Sequence, residues 1–135
     1  MRFPVSIYHN PDCGTSRNTL AMIEAAGYAP NVVDYCTTGW TRSLLDELLG
    51  AMSARPRYLL REKGTPAAEL GLLDPSTSDE TILDAMLTHP ILVNRPIVVT
   101  PRGTKLCRPS EAVLPLLDHM PASSTKEDGE NITTG

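Results

Sequence analysis

An α/β fold with a small mixed sheet is predicted by three features of the sequence. A strand, a helix and a second strand follow one another within the first 35 residues. The middle of the chain carries helical periodicity. A strand pair and a last helix come after it, so the order is βαβ, a helical insertion, then ββα.

"PVSIYH" (residues 4–9) reads as a short buried strand. "TSRNTLAMIEAAGY" repeats apolar residues at Leu20, Ile23 and Ala26 and ends at Gly27, the pattern of a helix with a glycine stop. "NVVDY" (31–35) is the second strand, and the three elements make a βαβ unit. In "TRSLLDELLGAM", Leu44, Leu45, Leu48 and Leu49 share one helix face. "ARPRYLLREKG" predicts a short helix with Pro56 in its first turn, and "PAAEL" a further turn. "STSDETILDAMLTH" opens on a capping box from Thr77 to Glu80 and stops at Pro90. "IVVT" and "TKLC", joined by "PRG", predict a hairpin. Ser110 is the expected N-cap of a last helix over 111–118. This order matches the thioredoxin-like plan with helices inserted after the second strand. The expected organisation is one domain over 1–120, its helical insertion about 41–90, and a flexible tail over 121–135. That tail, "PASSTKEDGENITTG", has one apolar side chain beyond alanine and no period.

Composition narrows the function. The formal net charge of −4 argues against a nucleic-acid backbone binder. No apolar run approaches the length of a membrane span, and "MRFPVSIYHN" lacks an apolar core of signal-peptide length. A cytoplasmic protein is expected, with no membrane partner. Cys13, Cys36 and Cys107 form neither a CxxC pair nor a zinc pattern, so no bound metal or cofactor is expected. Nine arginines stand against three lysines, a bias toward the residue of bidentate oxyanion recognition.

"YHNPDCGTSRN" puts Cys13 between the first strand and the first helix. The first helical turn carries backbone N–H groups without intrahelical partners and partial positive charge. A thiol there ionises more readily. Gly14 permits close approach to a ligand, and Thr15 and Ser16 add hydroxyls, so the loop reads as an anion pocket with a nucleophile at its edge. Arg17 opposes the helix dipole, a cost that a bound oxyanion would offset. His9, four residues before the thiol, could lower its pKa further; by itself it is more readily a structural residue at a strand end. Six positions after Cys13 stands Thr19, which excludes a phosphatase-type Cys–Arg loop, and three after it stands Ser16, which excludes a dithiol motif. Cys36 and Cys107 are expected to be buried. Arg61, Arg95 and Arg108 sit at element ends, where sites of α/β proteins assemble, though any one of them alone is more readily a solvated charge. A cis Arg95–Pro96 bond would fit a tight turn beside such a site.

Together "YHNPDCGTSRNTL", "LLR", "HPILVNRPIVVTPRGTKLCRPSE" and "TKEDGE" resemble, in order and spacing, the arsenate reductases that couple to glutathione and glutaredoxin. The resemblance runs from about Ile7 to Glu130. It implies a thioredoxin-like core, arsenate as substrate, glutathione as co-substrate and glutaredoxin as protein partner. It implies Cys13 as nucleophile and Arg61, Arg95 and Arg108 as the arginines that hold the arsenic oxyanion. It also implies His9 as a pKa-tuning residue and Ser16 and Arg17 as parts of the anion loop. Cys107 matches a cysteine the mechanism does not require. Two other readings stay open: a redox-sensing regulator without turnover, and a monothiol disulfide reductase. Ser16 departs from the regulator pattern, which carries a second cysteine there. The three arginines favour the reductase.

Overall fold

A computed structural model describes residues 3–119, with the backbone of 123–125 and 131–133. The chain divides into two compact units, one of residues 1–34 with 95–135 and one of residues 35–94.

The first unit is built on a four-stranded mixed sheet, as predicted. Its strands are β1 (Ser6–His9), β2 (Asn31–Asp34), β3 (Ile97–Thr100) and β4 (Gly103–Leu106), in spatial order β2-β1-β3-β4. β1 and β2 run parallel, joined through helix α1 (Gly14–Ala25). β3 is antiparallel to both β1 and β4. Ile7 lies opposite Val98 across the β1–β3 pair, and both are fully buried. They pack with Val5, Met22, Ile23, Cys107, Val113, Leu116 and Leu117. Ala26 is the C-cap of α1, and Gly27 follows with φ +95, a conformation that an L side chain would strain. Tyr28 N–H then donates to Ile23 O, closing the helix end.

The last helix differs from expectation. It is a 3-10 segment over Ser110–Leu116, and Pro109 rather than Ser110 holds the cap position. Pro115 lies inside it and has no N–H to continue an α-helical ladder. Ser110 is buried, and its hydroxyl donates to Thr15 O at the start of α1.

The expected flexible tail holds two short strands, β5 (Ser123–Thr125) and β6 (Asn131–Thr133), paired antiparallel. The rest of that expectation, residues 121–122, 126–130 and 134–135, lies outside the described residues.

The second unit is helical: α2 (Tyr35–Thr38), α3 (Arg42–Met52), α4 (Pro56–Leu59), α5 (Asp79–Thr88) and a 3-10 turn over Pro90–Leu92. Thr41 caps α3 by accepting the Leu44 N–H. α5 is capped by Ser78, which accepts the Thr81 N–H, and not by the predicted Thr77–Glu80 box. The Thr77 hydroxyl instead donates to Gly71 O, and Glu80 accepts from Arg42. "PAAEL" forms turns and no helix, with Leu70 N–H donating to Pro66 O and Gly71 N–H to Ala68 O. Tyr35 is fully buried, packs its ring tilted against Trp40 with centroids 4.7 Å apart, and donates its hydroxyl to Val93 O at 2.6 Å. An isolated antiparallel bridge joins Leu60 to Val93. Among the described residues no helix is long and apolar enough to cross a membrane.

Arg57 holds the long turn before α5. Its guanidinium donates to the carbonyls of Leu72, Asp74 and Thr77 at 3.0–3.1 Å. Arg57→Ala should therefore destabilise the protein by about 1–3 kcal/mol, since three carbonyls lose a charged donor. A urea titration would register this as a lower midpoint at an unchanged slope. An unchanged midpoint would show that water replaces those bonds at no cost.

Candidate active site

β1 delivers the chain into the Cys13 loop at His9, and α1 begins one residue after the cysteine. Cys13 is the N-cap residue of α1, with extended backbone (φ −103, ψ 120), and its carbonyl accepts the Arg17 N–H at 3.0 Å. The predicted place at the mouth of a helix is the observed one. The N–H groups of Gly14, Thr15 and Ser16 lie in the first turn, where no preceding helical carbonyl can reach them.

Two of the three predicted arginines meet the thiol. Arg108 Nη1 lies 3.6 Å from Cys13 Sγ and also donates to Arg95 O at 2.8 Å. Arg95 is buried, and its guanidinium favours the charged form of the Cys13 sulfur. Each of these arginines precedes a proline through a cis peptide bond, Arg95–Pro96 as anticipated and Arg108–Pro109 besides.

The Cys13 pKa is set by opposed influences. Burial is the largest and disfavours the thiolate. The Ser16 backbone N–H, then Arg95 and Arg108, outweigh it. The neutral thiol makes no regular cap hydrogen bond, so the Ser16 amide acts mainly on the charged sulfur. The result is a pKa lowered to about 7.

His9 enters less directly than the sequence suggests. It is buried, and its Nδ1 shares a 2.6 Å hydrogen bond with Ser16 Oγ. Burial lowers its pKa, with Asp34 opposing and Arg17 adding to the fall. It is therefore mainly neutral near pH 7 and touches the cysteine's surroundings through Ser16. Arg17 is exposed and donates to Pro11 O at 2.5 Å, bracing the loop from outside. Arg61 belongs to the second unit. Its backbone N–H donates to Leu92 O at 2.7 Å, and its guanidinium reaches Asn94 Oδ1 at 3.4 Å and Lys63 O at 3.3 Å.

The other cysteines divide. Cys107 is fully buried, as expected, and burial pushes its pKa up to about 12. Cys36 was expected inside and is exposed. Strand β2 ends at Asp34, and Tyr35 takes the buried position of the one-turn helix that follows. Among the described residues no cluster of His, Cys, Asp and Glu is arranged to hold a metal ion.

Sequence reasoning passed over Asn10, which is 4% exposed and bonds to three points of the loop. Its signal was an Asn-Pro pair directly after a strand, a turn-forming combination.

The family model described as the ArsC family matches residues 8–116. An arsenate reductase of Synechocystis, ArsI2, is 59% identical over 129 residues, which is 95% of this chain and 92% of the relative. An arsenate reductase of Escherichia coli is 54% identical over the same length, with the same coverage. A solved arsenate reductase structure from Vibrio cholerae aligns with a TM-score of 0.81 at 39% identity, over 87% of this chain and all of that one. The shared architecture is the thioredoxin-like α/β fold with its four-stranded mixed sheet. With a family match across most of its length and relatives above half identity, the chain belongs to the ArsC family.

Proposed function

We propose that the protein reduces arsenate to arsenite through Cys13, with glutathione and glutaredoxin as reductants. The observation that carries this reading is a cysteine of depressed pKa at a helix N-terminus, flanked by Arg95 and Arg108. Relatives named arsenate reductases support the choice of oxyanion.

Arsenate is a tetrahedral oxyanion suited to the first-turn N–H groups and the arginines. The Cys13 thiolate displaces one hydroxyl from As(V), which leaves as water after protonation. Glutathione displaces a second hydroxyl through its sulfur. A glutaredoxin thiolate then attacks that glutathione sulfur. The As–S bond to glutathione breaks, and its electron pair stays on arsenic, now As(III). The two thiols leave as a mixed disulfide, and water releases arsenite from Cys13. Arg95 and Arg108 offset the negative charge at each stage. Such a cycle suits the cytoplasm, where glutathione is kept reduced.

The test is NADPH consumption with purified protein, glutathione, glutaredoxin and glutathione reductase. Oxidation should require arsenate, and it should stop when glutaredoxin is left out. Turnover without arsenate would favour a general disulfide reductase. No turnover by folded protein would favour a sensor.

A further inference from the structure

Asn10 occupies the exit of β1 and makes three bonds within the Cys13 loop. Its side-chain Oδ1 accepts the Asp12 N–H at 2.9 Å, an Asx turn. Its carbonyl accepts the Cys13 N–H at 3.0 Å. Its own N–H donates to Ser16 Oγ at 3.1 Å, inside the first turn of α1. The residue and its bond to Ser16 are buried, and the Asx-turn bond to Asp12 is half-buried.

We propose that Asn10 is a positioning residue for Cys13, folding the loop so that the sulfur stands over the first-turn amides of α1. The proposal rests on the reading of Cys13 as the reactive thiol. The Asx turn consumes the Asp12 N–H, and the Asn10 carbonyl consumes that of Cys13. Both amides thus point back into the loop, leaving that of Ser16 for the Cys13 thiolate and those of Gly14 and Thr15 for an anion. Without the Asn10 side chain the Asp12 N–H loses its acceptor. Residues 10–13 can then open, and the sulfur moves from the Ser16 amide. Arg95 and Arg108 are the charged groups at the sulfur itself. His9 stands behind Ser16, and Asp34 and Arg17 act on His9. None of these is replaced in the test.

The experiment is alkylation of Cys13 by iodoacetamide from pH 5.5 to 9, followed on the Cys13 peptide by mass spectrometry. The full-length wild type is compared with Asn10→Ala and Asn10→Ser. Asn10→Ala should raise the midpoint by about one unit, slowing alkylation about tenfold below both midpoints. Asn10→Ser keeps a hydroxyl acceptor and should fall between the two, since serine makes the same turn more weakly. A residue that merely stabilises the fold would lower the melting temperature and leave the midpoint in place. An unmoved midpoint in Asn10→Ala overturns the proposal. If that variant does not fold, Asn10→Ser decides alone: a raised midpoint supports the role and an unmoved one overturns it. The readout needs no arsenate, so a protein inactive on arsenate would refute the proposed function without touching this result.

Discussion

Cys13→Ser should abolish arsenate-dependent NADPH oxidation, with a loss of about 10³-fold or more. A serine hydroxyl does not ionise near neutral pH, so the features that lower the thiol pKa give it no comparable help. The fold should survive. Serine is close in size to cysteine and is itself a favoured N-cap, so α1 should start at the same residue. Circular dichroism and melting temperature should match the wild type while turnover disappears. Substantial residual turnover would remove Cys13 from the chemistry and shift attention to Cys36, the exposed thiol.

Arg95→Ala is expected to have the second largest effect, about 100-fold in kcat/KM, or about 2.7 kcal/mol of transition-state stabilisation. Two losses combine. The thiolate loses a nearby positive charge, and the arsenic oxyanion loses a cation. The sign of the pH effect follows from the balance at the sulfur. Burial, the largest influence, raises the pKa, and in the wild type it is outweighed by the Ser16 amide, Arg95 and Arg108. The thiolate therefore dominates above about pH 7 and falls about tenfold per unit below it. Removing Arg95 leaves burial in place and takes away one counterweight, so the midpoint must rise. The acid limb of the kcat/KM profile should move to higher pH, most visibly below 7. Arg95→Lys keeps the charge without the planar fork and should restore the midpoint better than the rate. A variant with wild-type kinetics and an unshifted acid limb would deny Arg95 both roles.

The sheet and its helix were legible because they rest on periodicity. Leu20, Ile23 and Ala26 mark one face of α1, and Gly27 marks its end. The hairpin of β3 and β4 was equally plain from two apolar runs around "PRG". Departures came where a single side chain decides between competing local bonds. Ser78 and Thr77 are adjacent hydroxyls, and either could cap α5; the bond from Thr77 to Gly71 O assigns the cap to Ser78. Pro115 was not weighed in the expected helix over 111–118, and with no N–H it leaves that segment a 3-10 helix. Cys13 was readable from its loop, whereas Arg95 and Arg108 were placed beside it by the resemblance, since context alone marked only their positions at element ends. The indirect place of His9 was not. It depends on Ser16 Oγ lying 2.6 Å from the ring, a distance fixed by how β1 leads into α1. Asn10 escaped for the same reason: an Asx turn is a property of the folded loop, and Asn-Pro is common in ordinary turns.

The inaccessibility of Cys107 bears on how the proposed cycle ends. Trivalent arsenic is thiophilic and holds far more firmly to two or three sulfurs than to one. A second ionisable thiol within reach would turn the product into a chelate and stall the enzyme on its own arsenite. Cys107 is sealed in the core of the same unit as Cys13, with its proton held to about pH 12. From that residue, arsenite meets no second ligand, and a lone As–S bond yields readily to water. The same burial denies the enzyme an internal disulfide through this cysteine. In the proposed cycle the reducing thiol is borrowed, which ties arsenate turnover to the cell's supply of small thiols.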